Sequence, residues 1–388
     1  MEAIPVKREQ RTKARGYKLF GTSQGRIDFS ILLVVSILCA FGLVMIFSAS
    51  YYYAQHYSGT NHDGFYYLKR QALYLLIGYP VMLLLSMLNY RVIQKLNVAA
   101  LLVSIALLVL VLLIGQNKNG GKRWLEFAGV SIQPSEVAKF GMMIFMCAYM
   151  SKHRNEMHTF RNGMLPMLIV IGFISGLIIL QPNMSMAVIV AFLGVVLLFL
   201  GGCDIRPLIV VGIIGIIGVF ALAYIAPYRW ARVTSFRNPE EDPLGTGYQL
   251  LQSFYAIGSG GLFGKGLNNS YQKMLYMTYG ESDFIFAILC EEFGFVGGTL
   301  IIALYAFIVW RGMRVAIKCR NRFGSLLAAG ISIVFGFQVF VNIAVVTGLM
   351  PTTGQALPFI SAGGTQLLVF LAAMGVLLNI SRDVNPHD

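Results

Sequence analysis

The sequence predicts an all-α polytopic membrane protein with about ten transmembrane helices. Of its 388 residues, 57% are hydrophobic and only 12% are charged, whereas soluble domains carry about 25% charged residues. Apolar runs of roughly 18 residues or more recur along the chain, each enough for a membrane helix. The basic residues fall largely in short segments between those runs, the placement that orients a polytopic protein.

A basic tail, residues 1–27, leads into a first span near 28–49, whose length marks a retained helix rather than a cleaved signal. Further spans lie near 70–88, 97–115, 136–151, 164–181, 184–201 and 206–226. A polar segment, 227–282, then separates helices 7 and 8, and the last spans lie near 283–310, 324–348 and 364–380, with a short tail at 381–388. Residues 28–380 thus form one membrane domain. An even number of spans puts both termini on one side. Placing that side in the cytoplasm gives it 19 of the 30 Lys and Arg residues, five of them in 311–322. This N-in, C-in arrangement follows the positive-inside rule and leaves 227–282 as a large extracytoplasmic loop.

A net charge of +13 invites a nucleic-acid reading, but the basic residues are spread over short segments between apolar runs and not clustered as a nucleic-acid face requires. Cys39, Cys147, Cys203, Cys290 and Cys319 lie in apolar runs or inner segments, without the spacing of a disulfide framework or a metal site. The scattered histidines make a zinc site improbable.

Three outer segments are rich in glycine, proline and polar residues, the composition of ordered turns. One runs Gln116-Asn-Lys-Asn-Gly-Gly-Lys-Arg-Trp124 and ends in Ile132-Gln-Pro-Ser-Glu136. The second, 227–282, is too long for a mere connection. The third carries Pro351-Thr-Thr-Gly354 and Leu357-Pro-Phe-Ile-Ser361-Ala-Gly-Gly364. Function is expected on this face.

Asp283, in Tyr279-Gly-Glu-Ser-Asp283-Phe-Ile-Phe, stands where a polar loop becomes an apolar run. An ionisable group there is costly and is a functional candidate by default. A carboxylate is also a suitable base for a hydroxyl proton. Lys122, Arg123, Lys139, Arg229, Arg232 and Lys265 form an outer basic set, fit to bind a lipid diphosphate and to stabilise a departing one. Lys139 lies inside an apolar helix three residues after Glu136, so it either pairs with that acid or serves a ligand. Gly258-Ser-Gly260-Gly261-Leu-Phe-Gly264-Lys265-Gly266 fails the nucleotide-loop pattern. It is read either as an anion-binding turn or as a flexible connection. Glu291 and Glu292 require internal pairing or a wet cavity.

At these residues the chain resembles the SEDS family (shape, elongation, division and sporulation proteins), its FtsW/SpoVE branch more than RodA. The resemblance covers nearly all of 28–383 and rests on Lys122-Arg-Trp124, Ile132-Gln-Pro-Ser-Glu136 with Lys139, and Gln181-Pro182. Pro227-Tyr-Arg229, Gly264-Lys-Gly266, Asp283-Phe-Ile-Phe-Ala, Glu291-Glu-Phe-Gly294, Asn342, Pro351-Thr-Thr-Gly354 and Ser361 with Gly363-Gly364 also carry it. Asn183, Asn268, the lead-in Tyr276-Met-Thr-Tyr279, Ser282 and Ala362-Gly-Gly-Thr-Gln366 are departures from the family's usual residues.

The resemblance implies a peptidoglycan glycosyltransferase of the bacterial cytoplasmic membrane that polymerises lipid II, alongside a class B penicillin-binding transpeptidase and other divisome or elongasome proteins. It implies Asp283 as the general base of an inverting displacement. Arg123, Lys139, Glu136, Ser135, Lys265, Arg229 and Ser361 are the expected substrate-binding residues. No cofactor is implied, and a divalent cation stays open. A lipid II flippase and a non-catalytic divisome scaffold are the alternatives. Transport sites lie near the midplane on broken helices, whereas the polar groups here gather at the rim.

Overall fold

The computed structural model describes residues 25–384 except 119–120, 128–129, 246 and 278–279. Most of the expected tail 1–27, and residues 385–388, therefore lie outside the described residues. Asp28 starts the bundle: its carboxylate accepts from the backbone N–H groups of Ser30 and Ile31, capping α1 (Phe29–His56). Then follow α2 (Tyr66–Met87), the short α3 (Tyr90–Lys95) and α4 (Asn97–Ile114).

The first outer segment is not a plain loop. Its residues 122–127 read Lys-Arg-Trp-Leu-Glu-Phe, a run of strand-forming character. Strands β1 (Gln116–Lys118), β2 (Gly121–Phe127) and β3 (Val130–Ile132) form an antiparallel sheet in the order β1-β2-β3. Among the described residues this is the one sheet, a small departure from the all-helical expectation.

Pro134, whose missing N–H costs nothing at a helix start, opens α5 (Pro134–Lys152). The chain continues through α6 (Leu165–Leu180), α7 (Met184–Gly201), α8 (Ile205–Ile225), α9 (Pro227–Arg237) and α10 (Tyr248–Gly260). It ends with α11 (Ile285–Lys318), α12 (Arg322–Val346) and α13 (Gly364–Ser381). Nine helical stretches among the described residues are long and apolar enough to cross a membrane. The tenth expected span, α5, carries Glu136, Lys139 and Lys152 but packs among α4, α7 and α12. The outer segment 227–282 contains α9 and α10, so it is partly helical rather than one long loop.

The inner ends are tied together. Arg311 of α11 pairs with Asp28 at 2.7 Å, and the Asp28 N–H donates to Ser381 Oγ at 3.0 Å. Tyr90 donates to Asp383. Asn379 of α13 accepts from the Tyr90 N–H and donates to the Ser86 carbonyl. Four spanning helices and α3 therefore converge on one polar cluster at this end.

Helix α11 is broken at Gly294, where φ is 68° and ψ −166°, a conformation almost confined to glycine. The break frees backbone groups, and the Gly-rich stretch after α10 takes them up. Lys265 and Gly266 donate their N–H groups to the Glu291 and Glu292 carbonyls, each at 3.0 Å. Phe295 and Val296 donate to the Gly261 and Leu262 carbonyls. A Cβ on Gly294 would stand 2.4 Å from the Gly264 nitrogen. Of the two readings of this stretch, the anion-binding turn fails, because the N–H groups of Lys265 and Gly266 are consumed by the helix break.

Candidate active site

Asp283 sits two residues before α11, at the wall of a cavity of about 700 Å³ at the outer end. Three consecutive carbonyls fix its backbone. Glu281 O accepts from the Ala362 N–H at 2.9 Å. Ser282 O accepts from Ser361 Oγ at 2.6 Å, and Asp283 O accepts from Asn342 Nδ2 at 2.8 Å. The same Asn342 amide donates to the Gln355 carbonyl at 2.7 Å, so one side chain ties the acid's segment to the loop that faces it. That loop comes close at Gly354, whose φ is +68° and where a Cβ would stand 3.4 Å from Asp283 Oδ2.

Burial raises the Asp283 carboxyl from 3.8 to about 6, although a Ser282 hydrogen bond and the positive charge of Arg232 pull the other way. Burial also raises Glu281 to about 7, with the Asp283 charge adding to the shift and a Tyr67 hydrogen bond opposing it. An acid held near neutrality can take a proton and release it again.

Arg123 of β2 lines the cavity. It donates from Nε to the Gln181 carbonyl at 3.2 Å and to the Pro182 carbonyl, clamping the sheet to the α6–α7 corner. Asn183 caps α7 by accepting from the Met186 N–H and also lines the cavity. Arg232 lines it from α9, and Gln249 from the first turn of α10.

Glu136 lines the cavity, but Lys139 lies behind it, fully buried. The ammonium donates to Glu136 at 2.7 Å and to Gln338 Oε1 at 2.9 Å, and stands 4.8 Å from the centre of the Phe370 ring. Gln338 meets Gln355 at 3.4 Å. A polar chain thus runs from Glu136 through Lys139, Gln338, Gln355 and Asn342 to the backbone of Asp283.

Of the residues expected to touch substrate, Asp283, Arg123 and Glu136 line the cavity, and five do not. Lys139 is used up in pairing. Ser135 is wholly buried, with no hydrogen-bond partner for its hydroxyl among the described residues. Ser361 accepts from the Leu357 N–H and donates to Ser282 O, holding backbone instead of ligand. Lys265 pairs with Glu291 at 2.8 Å, and Arg229, three residues before Arg232 on α9, is not among the residues lining the cavity. Sequence reasoning missed Gln249, Thr353, Gln355 and Gln366 as cavity residues. Their polarity in glycine- and proline-rich stretches was the only signal. Among the described residues no group of three or more His, Cys, Asp or Glu side chains could hold a metal ion.

A second hollow, of about 570 Å³ and almost wholly apolar, lies between α2, α4, α5 and α13, with Ile93 of α3 and Leu327 and Ile331 of α12 also lining it. Val137 and Leu368 line it, one and two residues beyond the Glu136 and Gln366 of the cavity. A polar chamber therefore adjoins an apolar trough along the same two helices.

A helical membrane bundle with an acid and arginines around an outer cavity, and an apolar trough beside it, is a protein built to handle a polar group at the edge of a bilayer. A model of the FtsW/RodA/SpoVE cell cycle proteins matches residues 29–385, and the chain belongs to that family, the SEDS proteins. Stage V sporulation protein E of Bacillus subtilis (strain 168) is 40% identical over 357 residues, covering 92% of this chain and 97% of its own length. A probable peptidoglycan glycosyltransferase FtsW of Geobacter sp. (strain M18) is 38% identical over 356 residues, 91% and 96% of the two chains. Among solved structures, a chain of a peptidoglycan synthase complex that coordinates polymerization and crosslinking superposes with a TM-score of 0.74 at 28% identity, over 92% of this chain and 98% of its own. The rod shape determining protein RodA of Thermus thermophilus gives 0.68 at 28% identity, over 92% and 97%.

Proposed function

We propose that this chain, a peptidoglycan glycosyltransferase of the SEDS family, polymerises lipid II at the outer face of the bacterial cytoplasmic membrane with Asp283 as general base. The acceptor sugar's 4-hydroxyl attacks the anomeric carbon of a glycan carried on undecaprenyl diphosphate. Its proton passes to the Asp283 carboxylate, the bond to the diphosphate breaks, and the configuration inverts, which needs a base but no carboxylate nucleophile. Arg123 and Arg232, the cations lining the cavity, receive the charge that builds on the leaving diphosphate. The apolar trough suits the polyprenyl tail. Were a divalent cation used, the Asp283 carboxylate would be the protein group to hold it, and the ion would help to neutralise charge on the leaving diphosphate. The partner is a class B penicillin-binding transpeptidase within a divisome or elongasome assembly.

The single observation behind this reading is the pinned, half-enclosed Asp283 beside a cavity that adjoins an apolar trough. A transport reading is disfavoured because the polar groups around Asp283 line a cavity at the outer rim, whereas transport sites lie near the bilayer midplane. The test is Asp283→Asn, nearly isosteric, with full-length protein, its cognate transpeptidase and lipid II, scored as glycan polymer on a gel. Loss of polymer is expected; polymer at the parental level would exclude Asp283 as the base.

A further inference from the structure

Lys273 and Glu292 are buried ionisable groups with no part in the mechanism above. They form an ion pair at 2.9 Å, with side chains 3% and 0% exposed. The Lys273 ammonium is saturated: it donates to Glu292 Oε1, to Ser48 Oγ of α1 at 3.0 Å and to Asn268 Oδ1 at 2.6 Å. Glu292 Oε1 also accepts from Ser48 Oγ at 2.6 Å, while its Oε2 has no partner among the described residues. Both groups are shielded from bulk solvent, so each depends on the other. Asn268 holds its place in the left-handed region, at φ 66°.

The pair has a particular place in the chain. Asp283 lies ten residues after Lys273 and nine before Glu292, so the pair closes the ends of a segment with the acid at its middle. The neighbouring Glu291 reinforces that closure. It accepts from Lys265, from Ser270 Oγ at 2.5 Å and from the backbone N–H groups of Tyr271 and Gln272. The far side of the segment is held by Ala362, Ser361 and Asn342. Shortening a loop's free length cuts the conformations open to it, and a reacting group misplaced by about 1 Å can lose about a hundredfold in rate.

We propose that Lys273 and Glu292 are positioning residues for the transferase reaction, a charged clasp that holds the segment carrying Asp283 in register with the cavity. The proposal rests on Asp283 being the base. Because Ser48 is its third member, the clasp also fixes that segment to the first spanning helix.

The experiment compares the parent, Asp283→Asn and the double variant Lys273→Met with Glu292→Met. All are full-length, in complex with the cognate transpeptidase, and assayed for lipid II polymerisation and thermal unfolding. Replacing both members of a buried pair by apolar residues of similar volume is often neutral for stability, whereas removing one strands a charge. A double variant that melts close to the parent, with kcat reduced about tenfold or more and KM for lipid II nearly unchanged, supports the clasp. Parental kcat in the folded double variant overturns it. If that variant does not fold, Ser48→Ala and Asn268→Ala each remove one acceptor while keeping the pair. Several-fold lower kcat at unchanged KM then supports the clasp, and parental kcat in both overturns it. An active Asp283→Asn protein would overturn the base and the clasp together, whereas an inactive one beside a fully active double variant removes the clasp alone.

Discussion

The Asn342 side-chain amide, on α12, donates one proton to the Asp283 carbonyl at 2.8 Å and the other to the Gln355 carbonyl at 2.7 Å. One buried group thereby sets the distance between the acid and the loop across from it. Asn342→Ala strands two buried carbonyls, at about 1–3 kcal/mol each. It is expected to lower the thermal midpoint and to cut polymerisation about tenfold or more, read from gel and unfolding curve. Asn342→Asp, which offers oxygen where the carbonyls need N–H, should be worse than Ala.

The pH dependence follows from Asp283. Its folded pKa, about 6, is raised by burial, so below that value the carboxyl holds its own proton and cannot accept another. Polymerisation is expected to rise with pH through about 6 and to level off above it. Arg232 lowers that pKa. Arg232→Gln should therefore move the rising limb to higher pH, and a limb that moves down or stays put contradicts the assigned electrostatics. The sign for stability is opposite: a carboxyl whose pKa is raised by folding favours the folded state at low pH, and that contribution is lost as pH rises through 6.

Glu136 and Lys139 form a buried pair, with side chains 3% and 0% exposed. Breaking such a pair from one side costs about 3–5 kcal/mol. Lys139→Met alone is expected to lower the melting temperature sharply, and adding Glu136→Gln should recover much of the loss. If Lys139 instead served the diphosphate directly, the single variant would melt like the parent and raise only KM.

Gly294→Ala tests the broken helix. The new Cβ would meet the Gly264 nitrogen at 2.4 Å and the Leu262 oxygen at 2.5 Å, and φ is 68°. Backbone must move on both sides, and the strained conformation alone costs about 1–3 kcal/mol. Little folded protein is expected on size-exclusion chromatography in detergent, whereas Gly258→Ala, which meets nothing within 4 Å, should behave as the parent.

The spanning helices were readable because hydropathy is a local property, and Asp283 stood out because an acid at the junction of a polar and an apolar stretch is conspicuous. The helices α9 and α10 were not, since short amphipathic runs between glycines and prolines look like loop. Lys139 was legible as a costly charge, and its partner Glu136 as a neighbour three residues away. Gln338, 199 positions along the chain, gave no such sign. Lys265 was misplaced because a lysine among glycines resembles an anion loop. In the fold those glycines let two backbones exchange hydrogen bonds, a role that leaves no residue-specific trace. The anchoring duties of Asn342 and Ser361 depend in the same way on carbonyls that any residue could supply.

The knot of side chains at the inner end, Asp28 with Arg311 and Tyr90 with Asp383, has an energetic corollary for the proposed reaction. A hydroxyl proton taken by Asp283 returns to the compartment from which the sugar came, and the freed diphosphate stays on that side. By the proposed mechanism, no elementary charge traverses the bilayer in a turnover. The transmembrane voltage, able to do about 2.3 kcal/mol of work per charge per 100 mV, is therefore disengaged from strand growth. Elongation runs on the chemical potential of the activated sugar alone, and a de-energised vesicle should polymerise as fast as an energised one.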